Sequence, residues 1–434
     1  MPSFLFLFAG GMGMAKMIVQ PAAEKKYVSL QGSASLLAQA RLIRSGIPCR
    51  LNSGSGEENR YAARYAVHVD RLAAAKIRQH QMGGSEVVFM PDPESGRYED
   101  GLHRRLEKAA LRSLYTLGVD EGEVIITARP GRRYVVEDVR MQADRSKAVM
   151  SAKGQRSRRT EGYPAYNEEG DIPRAISLLM GMDPEFVLVK DNGDIVFASE
   201  FMERGGSVGS DAVRLREEVI YPIAELRPSP KANPKELLLE MQKALREAHL
   251  LIRDRSLAWK AGALPHGEFP LGGHIHFSGV PLSLSLLQTL DNYVALPLAL
   301  LEDPKGRSRR PRYGFLGDFR KQPYGGFEYR TLPSFLVSPL VAKVSLGVAY
   351  LAARYSDRLP GRPLNTERYH RAYYEGDKSV LKECIAGWYR DLSALPEYPD
   401  FAREIETALA HMETGRTWDE SRDIRPLWNI PTKP

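Results

Sequence analysis

Hydrophobic positions in the first third of the chain follow two periods in turn. Ser33 to Ser45 places Leu36, Leu37, Ala40 and Ile43 at helical spacing, and the Ala-rich stretch Arg71 to His80, with Asp70 as N-cap, predicts a second helix. Tyr65 to Val69, Glu86 to Met90, Val124 to Ala128 and Tyr134 to Val139 instead read as β-rich runs, so they predict strands, with Gly131 in a hairpin turn. Together these runs predict a compact α/β unit from about Tyr27 to Gln142.

The middle of the chain is strand-rich and broken by strong helices. Asn233-Pro234-Lys235-Glu236 supplies an N-cap, a proline at the first helical position and a glutamate at the third. The helix it opens is expected to run to about Asp254, with Leu237, Met241, Leu245, Ala248 and Ile252 near one face. Leu286 to Glu302 is a second apolar helical stretch, kinked or divided at Pro297, and Ser338-Pro339 opens a third that reaches Tyr355. Beyond Pro360 the apolar spacing stays helical while acidic residues gain the upper hand, which predicts an appendage packed on the central body. No repeat of about 20 to 50 residues is visible, which argues against a solenoid or propeller. The expected layout is a poorly ordered or mis-started 1–20, an α/β domain over 21–143, a linker over 144–171, a central domain over 172–360 and a helical extension over 361–434.

Composition sharpens this only in places. A chain of 434 residues, 43% apolar and 26% charged, suits two or three folded domains and not a disordered segment. The net charge of +7 permits an anionic ligand without demanding nucleic acid. Cys49 and Cys384 are too few for a disulfide framework or a thiolate metal cluster, so a reducing, cytoplasmic setting is expected. The apolar run Phe4 to Phe8 is too short for a signal core, and no stretch approaches the ~20 uninterrupted apolar residues of a membrane span. Asn52 to Gly56 lacks the Lys-Ser/Thr of a phosphate loop and reads as a plain loop. The basic run Arg145 to Arg159 reads as a solvated linker, with contact to nucleic acid or an acidic partner as second choice.

Four segments carry the candidate chemistry. Asp183-Pro184-Glu185, Glu225-Leu226-Arg227, His274-Ile275-His276 and Glu328-Tyr329-Arg330 each place two polar groups at i and i+2. In a strand those side chains share a face, while Phe186, Leu226, Ile275, Phe277 and Tyr329 point to the other. Four such strands make a sheet with an apolar face for helices and a polar face for a site. Crowded carboxylates raise one another's pKa unless cations lie between them. Carboxylates with imidazole and no thiolate suit Mg²⁺ or Mn²⁺, and neighbouring arginines suit phosphate or carboxylate. Gly272-Gly273 before the histidine strand permits unusual backbone angles or close approach of a ligand.

In order, Gly181-Met182-Asp183-Pro184-Glu185-Phe186, Gly272-Gly273-His274-Ile275-His276 and Gly326-Phe327-Glu328-Tyr329-Arg330 through Ser334 resemble the signatures of the glutamine synthetase superfamily. Glu225-Leu226-Arg227-Pro228, Arg312-Tyr313-Gly314 and Gly317-Asp318-Phe319-Arg320 narrow the resemblance to its phage- and bacterial-type carboxylate-amine ligases, the predicted amidoligases. It spans about Ile172 to Tyr355, with Asp183 standing where glutamine synthetases more often have Glu.

The resemblance implies an α+β fold with a curved antiparallel sheet backed by helices, beside a separate N-terminal α/β domain and a helical C-terminal extension. It implies ATP-dependent amide formation through an acyl phosphate, using two Mg²⁺ or Mn²⁺ ions. One ion would be held by Asp183, His274 and Glu328, the other by Glu185 and Glu225. His276 would contact substrate or phosphate, and Arg320 and Arg330 the γ-phosphate and acyl phosphate. Arg227 and Arg312 are further nucleotide candidates, the latter ending a basic stretch from Lys305 that is expected either to close over ATP as a mobile loop or to be plainly solvated. The partners are small-molecule, peptide or protein carboxylates and amines, with nucleic acid ranked behind them. Two rivals remain: a phosphotransferase on the same sheet, and a non-catalytic basic scaffold or nucleic-acid-associated protein.

Overall fold

The computed structural model describes residues 27–51, 62–81, 85–93, 95–129, 133–142, 178–215, 218–323 and 325–432. The start of the chain, Asn52 to Gly56, Gly131 and the basic run Arg145 to Arg159 lie outside the described residues.

The N-terminal part forms β1 (Tyr27–Ser29), α1 (Gly32–Arg44), β2 (Ala63–Asp70), β3 (Ala73–His80), β4 (Glu86–Phe89), α2 (Gly101–Thr116), β5 (Gly122–Arg129) and β6 (Arg133–Gln142). Its six strands form one antiparallel sheet in the order β1-β6-β5-β2-β3-β4. The Arg71 to His80 stretch is a strand and not a helix. Arg71 and Leu72 both take positive φ, 45° and 58°, which makes a tight reversal that returns the chain onto β2. Cross-strand pairing thus overrides the helical preference of the alanines. Conversely α2, which the sequence reading omitted, is capped by Asp100, whose carboxylate accepts from Leu102 N and His103 N.

The larger part begins with β7 (Leu179–Val189), β8 (Ile195–Val196), β9 (Val208–Leu215) and β10 (Glu218–Leu226), followed by α3 (Pro234–Leu251), β11 (Ala258–Lys260) and β12 (Gly273–Ser278). Asn233 caps α3 as its sequence predicts. Next come α4 (Leu284–Leu290) and α5 (Leu296–Leu301), then β13 (Phe319–Lys321), β14 (Phe327–Tyr329) and α6 (Pro339–Arg354). The interruption between α4 and α5 is a π turn over Asp291–Ala295, just ahead of Pro297. The apolar stretch Leu284–Leu301 is long enough to cross a membrane, but it is largely buried as a core helix of this body.

The sheet runs β13-β14-β12-β7-β10-β9, with β8 and β11 also on β7. All these pairings are antiparallel, as expected. One face packs Phe186, Leu226, Ile275, Phe277 and Tyr329, each at most 1% exposed, against α3 to α6. Burying each such aromatic contributes on the order of 2–3 kcal/mol. Residues from Leu359 to Ile430, mostly on short helices, join the same core. The N-terminal sheet has its own core, although its Leu72 and Tyr115 plug into the larger one.

Candidate functional site

Register brings the predicted residues face to face. His274 pairs with Asp183, His276 with Glu328, Glu225 with Glu185, and Arg320 with Glu328. Pro184 has no N–H for a ladder, and the β10 pairing stops at Glu185 beside it. The β7 strand therefore serves β12 with one half and β10 with the other, and Asp183 and Glu185 sit at the changeover.

The first group is Asp183, His274 and Glu328. His274 Nδ1 lies 3.0 Å from Asp183 Oδ1 and 3.1 Å from Glu328 Oε1, and all three residues are buried. These three atoms are shut off from solvent, yet none makes a hydrogen bond of proper direction. They converge on a point, which is what ligands of one cation do. Burial alone disfavours an imidazolium, but the Asp183 carboxylate outweighs it and lifts His274 to about 9. Burial likewise opposes ionisation of Asp183, and the two histidines overcome it, holding that carboxyl below its usual range. A proton on His274 thus supplies, in the metal-free protein, the positive charge that a metal ion would.

Glu328 is fully buried and heavily partnered. Arg320 Nε donates to its Oε2 at 2.6 Å, Gln322 Nε2 to the same oxygen at 2.9 Å, and Arg330 Nε lies 2.9 Å from Oε1. His276 Nε2 is 3.0 Å from Asp183 Oδ2, half-buried beside the first group. Arg320 and Arg330 are thereby the cations flanking this group, and the Arg320 side chain is still 54% exposed, free to meet an anion.

The second group is Glu185, Glu225 and Asp211, whose carboxylate oxygens lie within 4.8 Å of one another. The sequence reading named the first two and missed Asp211. It is a lone acid on edge strand β9 with no i+2 partner, and only the pairing of Ile223 with Asp211 puts it beside Glu225. Gly209, directly opposite Glu225, leaves room that the Arg227 guanidinium fills. Arg227 pairs with Glu225 and donates to Arg204 O at 3.1 Å. Burial, and then the neighbouring carboxylates Asp183 and Glu185, push Glu225 up to about 9. Burial pushes Glu185 up to about 7, against the pull of His274 and of the Gly272 N–H that donates to its Oε2 at 2.6 Å. Three carboxylates with so little compensation fit a hard divalent cation.

Three expectations change. The site face is not polar throughout: Val187, Val189, Ile223, Phe269 and Leu271 form a small apolar cluster on it, below the carboxylates. The glycine pair makes room for the protein's own atoms, since a Cβ on Gly272 would collide with the His274 imidazole and one on Gly273 with the Pro333 carbonyl and the Phe335 ring. The basic stretch before Tyr313 is solvated only in part, at Lys305, Arg307 and Arg312. Arg309 is buried, donating to Thr331 O and Leu332 O at 3.0 Å, and Arg310 is buried against Glu302 and the Tyr373 ring. Arg312 is exposed and lies over the Tyr313 ring, 5.4 Å from its centroid.

One face of the antiparallel sheet thus bears an Asp/His/Glu group, an all-carboxylate group and flanking arginines. Residues 180–430 match the family described as Phage phiEco32-like COOH.NH2 ligase-type 2, and the chain belongs to that family. The match runs beyond Tyr355 through the C-terminal helices. No curated protein matches the chain. Among solved structures, a bifunctional glutathione synthetase from Pasteurella multocida is 11% identical, with a TM-score of 0.37 over 57% of this chain and 48% of that one. The chain therefore spans about half the length of that protein. Apo GmaS is 14% identical over 56% of this chain and 71% of that one, TM-score 0.29. Plasmodium falciparum glutamine synthetase is 10% identical over 76% of both chains, TM-score 0.26.

Proposed function

We propose that the protein is an ATP-dependent carboxylate-amine ligase that works through an acyl phosphate with two Mg²⁺ or Mn²⁺ ions. The observation that supports this best is the side-by-side placement of the two acidic groups on β7, with Arg320 and Arg330 on the first. Asp183, His274 and Glu328 would hold one ion, and Glu185, Asp211 and Glu225 the other. Bound ions would neutralise the phosphate oxygens and so supply the electrostatic stabilisation that phosphoryl transfer needs.

A substrate carboxylate oxygen attacks the γ-phosphorus, the bond to the bridging β,γ-oxygen breaks, and ADP leaves. Arg320 and Arg330 orient the phosphoryl group and balance its charge through both steps. An amine then attacks the acyl carbon and phosphate departs, the amine losing one proton overall. His276, beside Asp183, would contact the phosphate or substrate, and Arg227, beside Glu225, the nucleotide or a substrate carboxylate. The acid and amine are small molecules, peptides or protein side chains.

ADP release over a panel of acids and amines with Mg²⁺ or Mn²⁺, followed by mass spectrometry for a product lighter than its parts by one water, tests this reading. Glu328→Ala and Glu185→Ala are expected to abolish metal-dependent ATP turnover, and near-normal activity in both would overturn the assignment. A stable phosphorylated product in place of an amide would favour a phosphotransferase.

A further inference from the structure

The N-terminal part touches the ligase body next to the Glu328 edge of the site. Tyr115, near the end of α2, is buried and donates its hydroxyl to Asp291 Oδ2 at 2.6 Å. Asp291 opens the π turn between α4 and α5 and is itself 2% exposed. Its other oxygen accepts from Tyr329 Oη at 2.6 Å and from Gly317 N at 3.1 Å. Tyr329 ends β14, with Glu328 before it and Arg330 after it. Gly317, at φ 70°, lies three residues before Arg320, and a Cβ there would run into the Tyr115 ring. One carboxylate thus anchors both chain segments that deliver Arg320, Glu328 and Arg330, and the N-terminal part completes its hydrogen bonding.

The same helix continues along the segment leading into β13. Arg112 donates to Pro311 O at 2.8 Å and stacks over Phe315, its guanidinium 3.5 Å from the ring centroid. Lys108 Nζ is 3.8 Å from Asp318 Oδ1, and the Asp318 carbonyl accepts from Arg330 N at 2.8 Å. Nothing in the ligase chemistry calls on Tyr115 or Asp291 directly. A fully buried, fully partnered carboxylate fixes its donors in one arrangement, and removing one donor leaves an acceptor unsatisfied away from water.

We propose that Tyr115 and Asp291 are positioning residues of the ligase site, through which the N-terminal part sets the Glu328–Arg320–Arg330 edge. This rests on the metal-dependent reading for its effect on the site, but not for its effect on the fold of β13 and β14. In a Mn²⁺ titration of the nucleotide-free protein followed by electron spin resonance, Tyr115→Phe should weaken binding at the Asp183–His274–Glu328 group, by less than the roughly tenfold that losing a direct partner of a metal ligand costs. Asp291→Asn, which keeps the shape, should weaken it at least as much. Amide exchange of the segment 315–331, measured without metal, should speed up in both variants. Arg44→Ala serves as control, because it removes a different contact between the two parts, the pair with Glu367 at 2.7 Å. It should leave both readings near those of the unaltered protein. Unchanged exchange in Tyr115→Phe and Asp291→Asn, or an equal effect of Arg44→Ala, would overturn the proposal. Should the unaltered protein bind no Mn²⁺, the ligase reading fails, and exchange alone then decides whether Tyr115 positions β13 and β14.

Discussion

The two acidic groups on β7 are two residues apart and electrostatically opposite. Around Asp183 and Glu328 stand His274, His276, Arg320 and Arg330, so each buried carboxylate has a cation or donor at hand. Around Glu185, Asp211 and Glu225 the cation is Arg227, and two of the three carboxyls are pushed well above their ordinary range. The first group is balanced before any metal arrives, whereas the second is built with a deficit that a divalent cation would fill. Metal-free stability should therefore respond to substitution with opposite signs in the two groups.

The largest effect is expected at Glu328. Glu328→Gln strands Arg330 and Arg320 beside a neutral amide and should lower the stability of the metal-free protein by about 3 kcal/mol, as breaking a buried pair does. Urea unfolding measures this, and an unchanged midpoint would show that the first group is not held by its ion pairs. Asp211→Asn should weaken Mn²⁺ binding at the second group by about tenfold or more, beyond the least that an outer partner costs, while leaving the first group alone. Equal weakening at both groups would mean that they act as one site.

Glu225→Gln is the counterpart of Glu328→Gln and should raise metal-free stability at pH 8 by about 1 kcal/mol, the scale of one pKa unit. The sign follows from linkage. Glu185 and Glu225 have folded-state values raised to about 7 and 9, so their contribution is fully present below the unfolded value near 4.5 and fades as pH rises through 7 and then 9. His274, raised to about 9, adds a loss in the same direction. Metal-free protein should thus lose stability between pH 6 and 9 and regain it on adding Mg²⁺. A flat profile, with or without Mg²⁺, would remove the deficit on which the comparison rests. The smallest effect is expected at Arg312, exposed over Tyr313, where Arg312→Ala should change ATP affinity less than about twofold. A loss comparable to that of Arg330→Ala would instead place Arg312 at the nucleotide.

Much of this site is legible in the sequence because strand geometry has a period of two. Asp183/Glu185, His274/His276 and Glu328/Arg330 declare a common face without any knowledge of the partner strands. Asp211 does not, since a single acid in Val208-Gly209-Ser210-Asp211 has no periodic companion and acquires its meaning from the strand beside it. The basic stretch misleads for a related reason. Charge in sequence suggests solvent, but Arg309 and Arg310 find buried carbonyls, a carboxylate and an aromatic ring. Arg71 to His80 shows the same limit in the backbone, where a reversal and a waiting β2 outweigh a modest helical preference.

By itself, the sequence determined the periodicity of the site strands, the capped starts of α3 and α6, and the acidic, histidine and arginine pairs that share one face, because each is settled within a few bonds. Tertiary structure alone decided that β9 adds Asp211, that Gly272 and Gly273 make way for other parts of the protein, and that Tyr115 reaches Asp291 across 176 residues. Those features depend on register and on the docking of distant surfaces, where the free energy lies in pairs of residues that no local pattern joins.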